Sequence, residues 1–298
     1  MPKSILVVAG TGKQGRATTR ELLSHGHTVH ILTRNPSSSP AKDLQSLGAV
    51  VHAGDLESIG TIQAALDNVD TVFLAIPAHP VTEVPHAKTF IEAAKSKNVK
   101  QIIYSSVART GEHESFPGWN DEYPMAWYWK NKHTVENMIR TSGIAHWTIL
   151  RPSAFMQNFC RPEVEFMFPG LADAHELRVA FDQDTKLDLI DVADIGKFAA
   201  AAIEAPAKYA GAEIAIAGER LTTAEMAQQL GKIRGVDIKA VYLDDEQVKA
   251  LVAQGYIALE AQKWQKEVGY RVDAGALERY GVPLTPLAEA LDRDALGW

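Results

Sequence analysis

Cysteine is almost absent: Cys160 is the only one in 298 residues, so no internal disulfide and no cysteine-based zinc site can form. A reducing compartment is the expectation. No apolar run approaches the ~20 residues needed to cross a bilayer, and Met1-Pro2-Lys3-Ser4 leads straight into an apolar segment with no room for a signal peptide. A soluble, cytoplasmic protein with no membrane partner follows. Basic residues are in deficit, 30 Lys and Arg against 37 Asp and Glu, for a net charge of −7. Phosphate backbones and anionic lipids are held by clustered Lys and Arg, so direct nucleic-acid binding is not expected. Ten histidines form no His-Glu-x-x-His array, and no metal is expected. Repeats and low-complexity tracts are missing.

What is present is a chain 46% hydrophobic, long enough to bury a large core. Short apolar runs, often β-branched, recur at Ile5 to Ala9, Val29 to Leu32, Val50 to Ala53, Thr71 to Ile76, Gln101 to Ser105 and His146 to Leu150. Between them, helical patterns cover Arg16 to Leu23, Ile59 to Leu66, Val84 to Lys97 and Met125 to Thr141. This alternation predicts an α/β fold with a doubly wound parallel sheet, whose ligands bind beyond the carboxyl ends of the strands. After Arg151-Pro152 the alternation weakens, so 1–152 is expected as a nucleotide-binding domain and 153–298 as a smaller α/β substrate lobe, partly returning to the first sheet. Further strands are expected at Lys186 to Val192, Gly211 to Ala217 and Ile238 to Leu243. A helix capped by threonine at Leu221-Thr222-Thr223-Ala224-Glu225 should run to about Ile233, and another from about Asp245 to Glu267.

The first run ends in Gly10-Thr11-Gly12-Lys13-Gln14-Gly15-Arg16, a Gly-x-Gly-x-x-Gly turn between a strand and a helix. Glycines there let the backbone approach a pyrophosphate, whose charge sits on the free N–H groups and positive end of the helix. Sites preferring NAD place an acid near the end of the second strand, roughly 20 residues on, to bind the ribose 2′-hydroxyl. That acid is missing here, and Arg34 stands in its region. A guanidinium suits a 2′-phosphate, with Arg16 and Lys13 as helpers, so NADP(H) is the expected cofactor. Asp55, Ile76, Pro77 and Ser105, each at the end of a strand, complete the expected cofactor residues.

Within Trp127-Tyr128-Trp129-Lys130-Asn131-Lys132, Tyr128 and Lys132 are four apart on a predicted helix and share one face. An ammonium beside a phenol favours the phenolate, and the same lysine can hold a nicotinamide ribose, so both are catalytic candidates. Phe116, Trp119, Tyr123, Trp127 and Trp129 flank this pair in sequence, and Phe155, Met156, Phe159 and Phe166 follow the sixth strand. Trp127, Phe155, Met156 and Phe159 are the expected substrate contacts, their flat or polarizable side chains suiting an aromatic or quinonoid molecule. Core packing is the competing reading for each. Ser106 is a weaker catalytic candidate, equally explained as a serine satisfying backbone groups at a strand end.

These motifs together resemble the NmrA-like group of atypical short-chain dehydrogenases/reductases. The resemblance rests on Gly10-Thr11-Gly12-Lys13-Gln14-Gly15, Thr33-Arg34-Asn35-Pro36, Gly54-Asp55-Leu56, Lys132-His133-Thr134-Val135-Glu136 with Ser142-Gly143-Ile144, and Thr148-Ile149-Leu150-Arg151-Pro152 with Phe155-Met156-Gln157-Asn158. Asp191-Val192-Ala193-Asp194-Ile195-Gly196 and Gly218-Glu219-Arg220-Leu221-Thr222 extend it over almost the whole chain. It implies a Rossmann-type domain with a C-terminal substrate lobe and an active-site lysine at Lys132. A tyrosine at the place of Tyr128 is often missing in such proteins, and Val107 falls where ordinary short-chain dehydrogenases carry a serine or threonine. Two functions are implied: NADPH-dependent reduction of a quinone or an aromatic or conjugated carbonyl, or non-catalytic NADP(H) sensing by a regulatory protein. A homodimer is one assembly the sequence leaves open.

Overall fold

A computed structural model describes all of residues 1–298. The strands along the chain are β1 (Ser4–Val7), β2 (Thr28–Thr33), β3 (Val50–Ala53), β4 (Thr71–Leu74), β5 (Gln101–Ser105), β6 (His146–Pro152), β7 (Ala154–Phe155), β8 (Glu176–Val179), β9 (Lys186–Ile190), β10 (Ala212–Ile216), β11 (Glu219–Thr222) and β12 (Lys239–Tyr242). The first helices are α1 (Lys13–Ser24), α2 (Ser39–Ser46), α3 (Ile59–Ala65), α4 (Glu83–Ser96) and α5 (Ala126–Arg140). They are followed by α6 (Val164–Met167), α7 (Leu171–Ala174), α8 (Val192–Glu204), α9 (Pro206–Tyr209), α10 (Thr223–Arg234), α11 (Asp245–Ala253), α12 (Ala258–Glu267) and α13 (Leu287–Asp294). The chain divides into two compact units, one comprising Met1–His113, Trp127–Pro152 and Val192–Ala215, the other Glu114–Ala126, Ser153–Asp191 and Ile216–Trp298.

The first unit is built on a seven-stranded sheet in the order β10-β6-β5-β4-β1-β2-β3. The pairs from β6 through β3 are all parallel. Every residue of β4 and β5 is buried, as expected of central strands covered by helices on both faces. The strand order reverses at β1, whose neighbours β2 and β4 carry the chain in opposite directions across the sheet; this is the topological switch point. One face packs Leu6, Leu74, Ile102 and Tyr104 against Phe90, Val135 and Ile139 of α4 and α5. On α8, a side chain at Gly196 would stand 3.1 Å from the backbone of Thr18, so glycine there lets α1 and α8 approach closely. A buried charge network holds α5 in register with β6 and β10. Glu136, with no exposed side-chain surface, meets Arg151 at 2.6 Å and Arg140 at 2.7 Å, and Glu213 closes the network on both arginines at 2.7 Å.

The second unit contains a three-stranded sheet, β11-β9-β7, and a parallel pair, β12-β8. Its core includes Met156, Phe159, Phe168, Leu189, Met226 and Leu287. The rings of Phe159 and Phe168 stack at 4.5 Å, and Trp298 Nε1 donates to the carbonyl of Phe159 at 2.6 Å. Helix α10 opens with the expected threonine, whose hydroxyl accepts from Glu225 N while the Glu225 carboxylate accepts from Thr222 N. The single helix expected over 245–267 is two helices. Gly255, at φ +107, lies between them and breaks the ladder. Helices α2, α6, α7, α8, α9 and α13 and strands β7, β8 and β11 lie outside the elements expected from the sequence. No helix of the chain is long and apolar enough to cross a membrane.

Candidate functional site

In the first unit the glycine turn joins β1 to α1 at the switch point, and its packing explains two of its glycines. A Cβ on Gly10 would lie 2.6 Å from Cβ of Ile31 on β2, and one on Gly15 would lie 2.1 Å from the carbonyl oxygen of Ala9. Neither neighbour can give way, since one is a buried sheet residue and the other is backbone. Gly12 is the N-cap of α1, where no side chain caps the first turn and no acid occupies it. An uncapped, acid-free helix start suits a bound anion. Gln14 is fixed from outside the turn, its Oε1 accepting a 2.7 Å hydrogen bond from Ser105 Oγ at the end of β5.

Around this turn, Arg34 is exposed directly after β2, and Arg16 is half-buried in the first turn of α1. Neither forms an ion pair, and Arg16 Nε is buried without a hydrogen-bond partner. Unpaired guanidinium groups with an orphaned buried donor fit a phosphate-bearing ligand. Asp55 sits just past β3, its Oδ1 accepting from the backbone N–H of Glu57 at 3.0 Å and of Ser58 at 2.9 Å, a turn that shapes the start of α3. Ile76 is buried and Pro77 is exposed, both just past β4.

Tyr128 and Lys132 lie on α5, with Lys132 Nζ 5.7 Å from the centroid of the Tyr128 ring. Lys132 is not an open ammonium. Its Nζ lies 2.7 Å from Oε1 of Glu83, the first residue of α4; the lysine side chain is 6% exposed and the glutamate 0%. Tyr104, fully buried on β5, faces the same ammonium at 5.9 Å from its ring centroid. Burial first, and the Glu83 charge second, hold the Tyr104 phenol well above its usual range, so it stays protonated. The field that Lys132 would exert on Tyr128 is opposed by the adjacent carboxylate, making the pair a dipole rather than a lone charge.

Neither Glu83 nor Tyr104 is picked out by the sequence. An acid in the first turn of a helix reads as a response to the helix dipole, with nothing to signal a partner on a distant helix. The loop before α4 is also tied to α5: Asn131 Nδ2 donates to the carbonyl of His79 at 3.1 Å, and His79 Nδ1 accepts from Val81 N and Thr82 N. His79 thus shapes this loop. Ser106, 6% exposed, pairs its hydroxyl with Thr110 Oγ1 at 3.3 Å, which favours its structural role.

Two expected substrate contacts are corrected. Met156 and Phe159 have no exposed surface and belong to the core of the second unit, so their side chains serve packing. Phe155 and Trp127 are half-buried. Phe116 contacts Trp119, Tyr123 and Trp264, and Trp264 in turn meets Tyr270, all within the second unit. Tyr128 meets the rings of Trp127 at 5.9 Å and Trp129 at 5.5 Å, both edge-on. Cys160 is buried and forms no disulfide.

The sequence profile of the NmrA-like family matches residues 1–277. The chain belongs to the NmrA-like family. An NAD(P)H azoreductase from Xenophilus azovorans is 31% identical over 254 residues, covering 82% of this chain and 79% of that protein. Among solved structures, NmrA, a negative transcriptional regulator crystallised with NADP, superposes with a TM-score of 0.77 at 19% identity, covering 99% of this chain and 95% of that one. The NADPH-dependent quinone oxidoreductase QOR2 from Escherichia coli, crystallised with NADPH, gives 0.74 at 23% identity over 97% and 99%. At such identities the two structures establish the shared fold. For this NmrA-like chain it is the mostly parallel, doubly wound sheet expected from the alternation of its sequence.

Proposed function

We propose that this NmrA-like protein is an NADPH-dependent reductase acting on quinones or on aromatic or conjugated carbonyl compounds. The observation that carries the reading is the placement of Tyr128 beside the Lys132 ammonium, in the unit that also holds the glycine turn and the unpaired Arg16 and Arg34. Gly10 to Gly15 and the start of α1 would hold the pyrophosphate, with Thr11 and Lys13 at its rim. Arg34, aided by Arg16 and Lys13, would take the 2′-phosphate, and Asp55, Ile76, Pro77 and Ser105 would line the remaining path. Bound NADPH supplies a hydride. Lys132 holds the ribose hydroxyls, and Tyr128 gives its hydroxyl proton to the substrate oxygen as that oxygen gains charge, recovering a proton from solvent. Trp127, half-buried against Tyr128, offers a ring face to a planar substrate.

Support for the reading comes from the azoreductase, a relative that uses NAD(P)H, and from the quinone oxidoreductase that shares the fold. A second reading, NADP(H) sensing without turnover, is favoured by the engagement of Lys132 with Glu83 and by the regulator NmrA among the similar structures. NADPH oxidation measured against a panel of quinones, azo dyes and aromatic ketones separates the two. Turnover with any acceptor supports the reductase, and tight NADPH binding with no turnover supports the sensor.

A further inference from the structure

A buried ammonium without a counter-charge loses its proton readily, because burial penalises only the charged form. The Lys132 side chain is 6% exposed, so the groups that surround it matter more than solvent. From α4, Glu83 presents a fully buried carboxylate at 2.7 Å, and neither carboxylate oxygen accepts a hydrogen bond of good geometry from any other group. From β5 comes only the neutral phenol of Tyr104, and from α5 the ring of Tyr128. Glu136, one turn further along α5, is taken up by Arg140 and Arg151. His79 uses its Nδ1 on its own loop, and its carbonyl anchors the neighbouring Asn131.

We infer that Glu83 is a positioning residue for Lys132: it fixes where the ammonium sits and keeps it charged, and so sets the pH range over which the protein holds its nucleotide. The last clause rests on the reading of Lys132 as a cofactor contact; the hold of Glu83 on the lysine charge does not. Glu83 touches neither substrate nor cofactor in this scheme and acts through Lys132 alone.

The test is an NMR pH titration of the lysine 13Cε resonances in the nucleotide-free protein, with the Lys132 signal assigned by its loss in Lys132→Met. Lys132 should pass to the neutral amine at lower pH in Glu83→Gln than in the parent, and in Glu83→Asp, whose shorter carboxylate sits further away, at a pH in between. An ammonium as persistent in Glu83→Gln as in the parent overturns the inference. Should Glu83→Gln fail to fold, Glu83→Asp alone decides, and an unshifted titration there overturns it. NADPH titration by fluorescence then reads the consequence. Between pH 6.5 and 9, affinity should fall about tenfold or more in Glu83→Gln and far less in the parent. Shifted titration with unaltered NADPH affinity in Lys132→Met would uphold Glu83 as the keeper of the charge and remove Lys132 from the cofactor site.

Discussion

Ser105 Oγ donates a 2.7 Å hydrogen bond to Gln14 Oε1, tying the end of β5 to the glycine turn at the head of α1. The sequence marks both residues as cofactor candidates, and in the proposed function Ser105 would serve the nucleotide by fixing Gln14. Ser105→Ala should therefore weaken NADPH binding about threefold to tenfold, the net worth of one neutral hydrogen bond, with little change in melting temperature. Fluorescence titration measures it, and an unchanged dissociation constant would show that the contact does not organise the turn.

Cofactor preference follows from Arg34, which is exposed just past β2 without an ionic partner. A charge-assisted pair to a 2′-phosphate contributes roughly 1.5–3 kcal/mol, so NADPH should bind at least about tenfold more tightly than NADH. Arg34→Ala should remove most of that difference by weakening NADPH alone. Equal affinities in the parent would contradict the assignment.

Two histidine groups give opposite pH dependences. His30 Nδ1 and His52 Nε2 lie 2.9 Å apart on adjacent strands, sharing one proton. Burial first, and for His30 the neighbouring His52 as well, holds both below the ordinary value of 6.5. The unfolded chain takes up protons before the folded one, so this pair removes stability as pH falls below 6.5. His25 is raised, chiefly by its hydrogen bond to Glu204, and its contribution is present below 6.5 and lost as pH rises through the raised value. Thermal melts at pH 5 and 7 should show a smaller acid loss in His52→Gln than in the parent. His25→Gln should show a larger one. Identical slopes in all three proteins would contradict the assignment.

The parallel sheet was legible because its strands are continuous apolar runs and its helices carry apolar stripes, patterns that need no knowledge of tertiary contacts. The turn between β1 and α1 was legible because a steric demand at Gly10 and Gly15 leaves a mark in the sequence itself. Met156 and Phe159 misled for the opposite reason: an aromatic near a strand end looks the same whether it lines a pocket or fills a core, and burial decides. In the sequence α12 reads as a continuation of α11, because the charged and apolar pattern continues across Gly255, whose φ of +107 ends the ladder without a proline to announce it. Glu83 was invisible for a third reason. Its partner Lys132 lies on another helix, and a pairing made through space has no local signature.

If Tyr128 delivers a proton while Lys132 holds the nucleotide, single-turnover reduction of the best substrate found, followed by NADPH absorbance, separates their roles. Tyr128→Phe should retain the fold and NADPH affinity, since only a hydroxyl is lost, while the hydride step slows by roughly 10²–10⁴-fold, the usual contribution of a positioned proton donor. Lys132→Ala should lower the rate and weaken NADPH binding together. A carbonyl acceptor is the stricter choice, because an easily reduced quinone can take its proton from water. An unchanged hydride rate in Tyr128→Phe with such an acceptor would rule out Tyr128 as the proton donor.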